Sequence, residues 1–111
     1  MKKVLFVCTQ NRLRSPTAEK VFSNYDELKV RSAGLDPHAR KHLTSDMIKW
    51  ADIIFVMERV HQEIIKNKYQ EELKGKKLIC LNIPDEYDFM QAELIDILKE
   101  KIPIYQKSYK K

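Results

Sequence analysis

Residues 3–19 read KVLFVCTQNRLRSPTAE, and three kinds of sequence succeed one another within them. Residues 3–7 (KVLFV) form a nearly continuous apolar run rich in β-branched and aromatic side chains, the pattern of a strand covered on both faces in a parallel sheet. Residues 8–14 are polar and contain no Val or Ile. Ser15 and Pro16 then open a helical pattern with Ala18, Val21, Phe22 and Tyr25 on one face, so Ser15 reads as the N-cap and Pro16 as the first helical residue. Strand, polar loop and helix in that order begin a βαβ unit whose first strand is central.

The rest of the chain repeats the theme. Residues 29–33 (KVRSA) alternate like a strand, residues 34–37 interrupt it, and Thr44, Ser45 and Asp46 start a second helix that carries Trp50. Residues 52–57 (DIIFVM) are a second buried strand. Residues 59–73 follow as a long amphipathic helix with Val60, Ile64, Ile65 and Leu73 on its apolar face and Gly75 at its C′ position. A last strand at 77–81, a polar loop at 83–89 and a final helix at 92–107 complete the order, with Pro103 expected to end or kink that helix. Residues 107–111 read as a frayed basic tail. Four alternations predict an α/β fold: one domain over residues 1–111 with a four-stranded parallel sheet flanked by helices.

Composition agrees with one domain and narrows the partners. The chain has 111 residues, 43% hydrophobic and 33% charged, with two glycines, which is enough apolar material for a core and too little Gly for a linker. Lys and Arg outnumber Asp and Glu by 21 to 16, for a net charge of +5, so anionic partners are favoured. Nucleic acid is not expected among them, because the lysines are spread out with acids between them and no binding motif occurs. The apolar runs at 4–8 and 53–57 are too short for a bilayer span or a secretory signal, which predicts a cytoplasmic protein without membrane attachment. Cys8 and Cys80 do not make a disulfide framework, and Cys80, in a strand, reads as a core thiol. His38, His42 and His61 lack metal-ligand spacing, so neither a metal nor a cofactor is expected.

The polar loop carries the chemistry. In parallel α/β sheets ligands bind beyond the carboxyl ends of the strands, where the next helix presents free N–H groups and the positive end of its dipole. Cys8 stands there, with the helix dipole and two arginines, Arg12 and Arg14, favouring its thiolate and hence a nucleophile. Arg14, six residues on, can return across the loop and grip two phosphate oxygens in a bidentate fork. Cys, five residues, Arg and Ser therefore make a cradle for a tetrahedral oxyanion with a nucleophile at its base.

The stretch from Phe6 to Glu19, together with Ser32-Ala33-Gly34, Ala39-Arg40, residues 52–58 and Asp85-Glu86-Tyr87, resembles the low-molecular-weight protein tyrosine phosphatase family over nearly the whole chain. The resemblance implies Cys8 as nucleophile, Arg14 as phosphate clamp, and Ser15 as the hydroxyl that stabilises the thiolate as leaving group. Thr9, Gln10, Asn11, Arg12 and Leu13 would surround the phosphate. Asn11 would hold the loop's conformation through Ser32, and Glu19 with a histidine, His38 in preference to His42, would brace it from behind. The substrate would be a phosphorylated protein or a small phosphomonoester.

A leaving alkoxide or phenoxide needs a proton, and the cysteinyl-phosphate needs a base to activate water. On its own, one acid in a polar loop reads as a solvated side chain. The resemblance selects Asp85, with Tyr87 as an aromatic wall, whereas Glu86 in place of the family's proline keeps Asp88 and Glu86 as alternatives. The chain departs from the family in three further ways, one being Leu13 where members commonly carry a second cysteine, so that Cys8 is not expected to be protected by a disulfide. Only residues 35–38 stand where members carry a longer segment, so the pocket is expected to be open on that side. Arg12 replaces an apolar or small residue, as a cation that either meets a second anionic group on the substrate or points to solvent. The competing reading is a module that binds phosphate on the same cradle without turnover.

Overall fold

The computed structural model describes residues 2–109, and the side chains of residues 2–102. Eight elements follow in the order β1 (Lys2–Cys8), α1 (Arg14–Phe22), β2 (Leu28–Gly34), α2 (Ser45–Trp50), β3 (Ile53–Val56), α3 (Arg59–Lys68), β4 (Lys77–Cys80) and α4 (Ala92–Tyr109). The strands form one sheet in the order β2-β1-β3-β4, and every pairing is parallel. The β1 strand is buried on both faces, which is why its sequence does not alternate. Val4, Phe6 and Cys8 face α1 and α4, while Leu5 and Val7 face the core under α2 and α3. Phe6 stacks between Phe22 and Phe55, with ring centroids 5.8 and 5.5 Å away.

The expected elements are all present, with several corrections at their ends. Ser15 is not the N-cap of α1. Leu13 takes that position and the helix begins at Arg14, leaving Pro16 as its third residue, where an N–H has no partner within the helix in any case. Thr44 does cap α2, accepting the Met47 N–H at 3.3 Å.

The α3 helix ends at Lys68 rather than continuing to residue 73, and its buried face is His61, Ile65 and Tyr69. That face is turned one residue from the expected one, so Val60 and Ile64 are 57% and 42% exposed. The histidine takes a core position because both ring nitrogens find partners there. Leu73 still packs on the core, from a turn closed by its N–H on the Tyr69 carbonyl at 3.1 Å. Gly75, with φ +79°, therefore serves the turn into β4 and not the end of the helix.

Pro103 does not end α4, which runs on to Tyr109; Leu94, Leu98 and Ile102 anchor the helix to the core up to the proline. Of the expected basic tail, Lys110 and Lys111 lie outside the described residues. Cys80 is half-buried and donates to Asn82 Oδ1 at 3.3 Å, at the rim of the core rather than inside it. Trp50 packs on the core under α2, with the Arg31 guanidinium 4.3 Å from its ring centre. No helix among the described residues is long and apolar enough to cross a membrane.

Candidate active site

The strand order reverses direction at β1, so a crevice opens between the carboxyl ends of β1 and β3, the place where such sheets bind ligands. Cys8 ends β1 and is buried. The chain then wraps through residues 9–13 into α1, and the wrap is held from behind by the short segment after β2. Leu35, Asp36 and Arg40 donate backbone N–H groups to the carbonyls of Cys8, Thr9 and Gln10, each at 3.0 Å. Gly34 makes this approach possible. A Cβ there would stand 2.6 Å from both the Thr9 carbonyl oxygen and the Ala39 Cβ, and 2.9 Å from the Asn11 nitrogen.

Inside the wrap a chain of hydrogen bonds ends on the sulfur. Asn11 is fully buried with φ 55°, the left-handed conformation that Asn tolerates better than most residues. Its Nδ2 donates to Ser15 Oγ at 2.8 Å and to Ser32 Oγ at 2.9 Å, and Ser32 in turn donates to Glu19. Ser15 Oγ, which accepts from Asn11, lies 2.9 Å from Cys8 Sγ and 3.4 Å from the Ala33 carbonyl, so its one proton is within reach of a thiolate at Cys8. Asn11 Oδ1 has no partner among the described residues, an orphan acceptor that costs about 1–3 kcal/mol.

Arg14 is 2% exposed and held on one edge. Its Nη1 donates to Glu58 Oε2 at 2.6 Å and to the Ile83 carbonyl at 2.7 Å. This leaves the Nε and Nη2 edge, the side-on fork that matches two oxygens of a phosphate. Asp85 Oδ1 lies 3.8 Å from Nε, on a side chain that is 63% exposed. Cys8, Thr9, Gln10, Arg12, Leu13, Arg14 and Asp85 line one cavity of about 180 Å³. A buried sulfur beside a hydroxyl, a fixed guanidinium fork and a nearby carboxylate thus converge on a space large enough to admit a phosphoryl group.

Two residues of this site were not anticipated from the sequence. Glu58 fixes Arg14, and His61 ties α3 to the loop, with Nδ1 accepting the Glu58 N–H at 3.1 Å and Nε2 2.9 Å from Thr9 Oγ1. With Nδ1 an acceptor, the neutral ring carries its proton on Nε2 and donates it to Thr9. Burial above all, and then the Arg14 charge, hold His61 below its ordinary value of 6.5, against the opposing pull of Glu58 and Asp85. The available signal was position, since both residues follow β3 on the same carboxyl edge as Cys8.

Three expectations change. His38 does not brace Glu19: its side chain is exposed and its backbone N–H bonds Asp36, because the short segment 35–38 folds onto the loop and Lys41 comes within 3.7 Å of Glu19 instead. Tyr87 is half-buried against the core and does not line the cavity. Neither Asp88 nor Glu86 lines the cavity, and Asp85 is the acid that faces Arg14. Arg12 is exposed at the rim, where it also lines a larger neighbouring groove.

Comparison with known proteins points the same way. Residues 3–51 match the family described as low molecular weight phosphotyrosine protein phosphatase. The low molecular weight protein-tyrosine-phosphatase Ptp of Acinetobacter johnsonii is 32% identical over 120 residues, covering 82% of this chain and 84% of the relative. The protein-arginine-phosphatase of Bacillus subtilis (strain 168) is 32% identical over 93 residues, covering 60% of this chain and 62% of the relative. In fold the chain is similar to the crystal structure of a YwlE mutant from Bacillus subtilis, at TM-score 0.80 and 23% identity with complete coverage of both chains. With these likenesses and this fold, the chain belongs to the low molecular weight phosphotyrosine protein phosphatase family and is a phosphatase.

Proposed function

We propose that the protein removes phosphate from phosphorylated proteins in the cytoplasm, with phosphotyrosine as its principal substrate, through a phosphocysteine on Cys8. In the first step the Cys8 thiolate attacks phosphorus and the bond to the substrate oxygen breaks. Asp85 gives its proton to the departing phenol oxygen, and the Nε and Nη2 edge of Arg14 carries the charge on the phosphoryl oxygens. In the second step Asp85, now a carboxylate, takes a proton from water as the water oxygen attacks phosphorus. Inorganic phosphate leaves, and the Cys8 thiolate departs into the hydrogen bond from Ser15.

The observation that carries this reading is the convergence on one cavity of Cys8 Sγ, with Ser15 Oγ at 2.9 Å, and of Arg14, with Asp85 at 3.8 Å. A module that only binds phosphate has no use for a thiol activated by a hydroxyl or for an acid on the open side. The test is hydrolysis of an aryl phosphate between about pH 5 and 7, without added metal. Phosphotyrosine and phosphoarginine peptides of one sequence serve as the second arm. Turnover with a higher kcat/KM on phosphotyrosine supports the reading. Absence of turnover with phosphate still bound would favour the binding module, and a higher kcat/KM on phosphoarginine would move the substrate class toward that of the Bacillus subtilis arginine phosphatase relative.

A further inference from the structure

Hydrolysis makes no use of the groove beside the cradle. It encloses about 440 Å³, and Arg12, Lys20, Arg40, Glu19 and Phe89 are among its lining residues. Arg12 also lines the cavity of the cradle, so the two spaces meet at that side chain. The groove has three cations against one acid, and the acid is already committed: Glu19 accepts from Ser32 and faces Lys41 at 3.7 Å. Arg40 is fixed beside the cradle by its Nε–H on the Asn11 carbonyl at 3.0 Å, which leaves its terminal nitrogens free of that bond. Among the described residues Arg12 and Lys20 form no ion pair, and Phe89, 46% exposed, supplies an apolar wall.

We propose that this groove is a specificity subsite for an acidic side chain next to the phosphorylated residue of a peptide substrate, a proposal that rests on the phosphatase reading above. Its cations are exposed, so each attracts a free anion only weakly. Tethering changes this. Once the phosphoryl group sits on Arg14, a carboxylate a residue or two away along the peptide is held at high effective concentration beside Arg12, and weak attractions become a measurable preference. A cationic neighbour on the substrate meets repulsion from the same three side chains.

The experiment compares kcat/KM for phosphotyrosine peptides that differ only in carrying Glu, Ala or Lys beside the phosphotyrosine, at low and high salt. The expected order is Glu over Ala over Lys, with Glu about fivefold above Ala at low salt and the difference shrinking at high salt. The ratio of Glu to Ala falls to one or below in Lys20→Glu and shrinks in Arg12→Ala, whereas it persists in Lys66→Glu, a reversal of the same size on α3 that separates the groove from the net charge. Equal kcat/KM for the three peptides, or an acidic preference that survives Lys20→Glu with Arg12→Ala, would overturn the subsite while leaving the phosphatase reading intact. Failure to hydrolyse any of the peptides and an aryl phosphate alike would overturn both.

Discussion

The two loops that meet at the site are built on opposite principles. The loop from Cys8 to Ser15 is enclosed, bonded to β2 and its following segment on one side and to His61 on another, and its Arg14 is 2% exposed. The loop that carries Asp85 lies open, with that side chain 63% exposed. The loop is secured at its far end, where the Met90 N–H bonds Thr17 Oγ1 at 2.9 Å. Attack on phosphorus requires sulfur and guanidinium in one fixed arrangement, so their positions are settled on folding. In the proposed mechanism Asp85 meets leaving groups of different shape, and its exposed position leaves room for them. Stiffness is concentrated where the phosphate is common to all substrates.

The largest effect expected from breaking the rigid loop is chemical. Cys8→Ser should lower aryl phosphate turnover by roughly four orders of magnitude or more, while inorganic phosphate still binds, as calorimetry would register. In the open loop, Asp85→Asn should lower kcat by about 10²–10³-fold. That loss should be smaller for an aryl leaving group of low pKa, which needs no proton, and Asp88→Asn should leave kcat within about twofold. A leaving-group series on both variants measures this.

Glu58→Gln removes the charge that fixes one edge of Arg14, and kcat/KM should fall by about tenfold through a weaker grip on phosphate. The KM for phosphate esters or the Ki for phosphate reports it. Gly34→Ala would push a methyl group into the Thr9 carbonyl, and chemical denaturation should show a loss of about 2 kcal/mol. An unchanged midpoint with full activity would mean that the wrap is looser than its contacts indicate.

The smallest effect is a pH dependence of stability that begins at His61. The unfolded ring takes a proton near 6.5 and the folded one only below that, so between the two values the unfolded chain binds more protons. Stability contributed by the neutral ring is complete above about pH 6.5 and is lost as pH falls through the lower, folded value, by up to about 1.4 kcal/mol per pH unit. Thermal unfolding from pH 5 to 8 should show that slope, and His61→Gln should flatten it.

The sequence made the enclosed loop legible and the open one less so. Residues 3–16 carry their own signals, namely a run buried on both faces, a Cys and an Arg at the spacing of an oxyanion cradle, and a helix start. Each of these is a local consequence of side-chain type. Glu58 and His61 escaped because their roles depend on how β3 lies beside β1, a long-range pairing without a local mark. The rotated face of α3 had the same cause: one buried, bonded histidine outweighed the apolar pattern of Val60 and Ile64. Tyr87 was assigned to the pocket by resemblance, whereas the loop after β4 turns it onto the core and brings Phe89 to the groove instead.

The central claim is that phosphorus passes through Cys8. The most direct measurement is mass spectrometry of the peptide containing Cys8, after rapid acid quench of Asp85→Asn mixed with an aryl phosphate. One phosphoryl group on Cys8, appearing with the first burst of phenol and absent from Cys8→Ser, is the predicted result. Phenol release without any phosphoryl group on Cys8 at the earliest times would contradict the account.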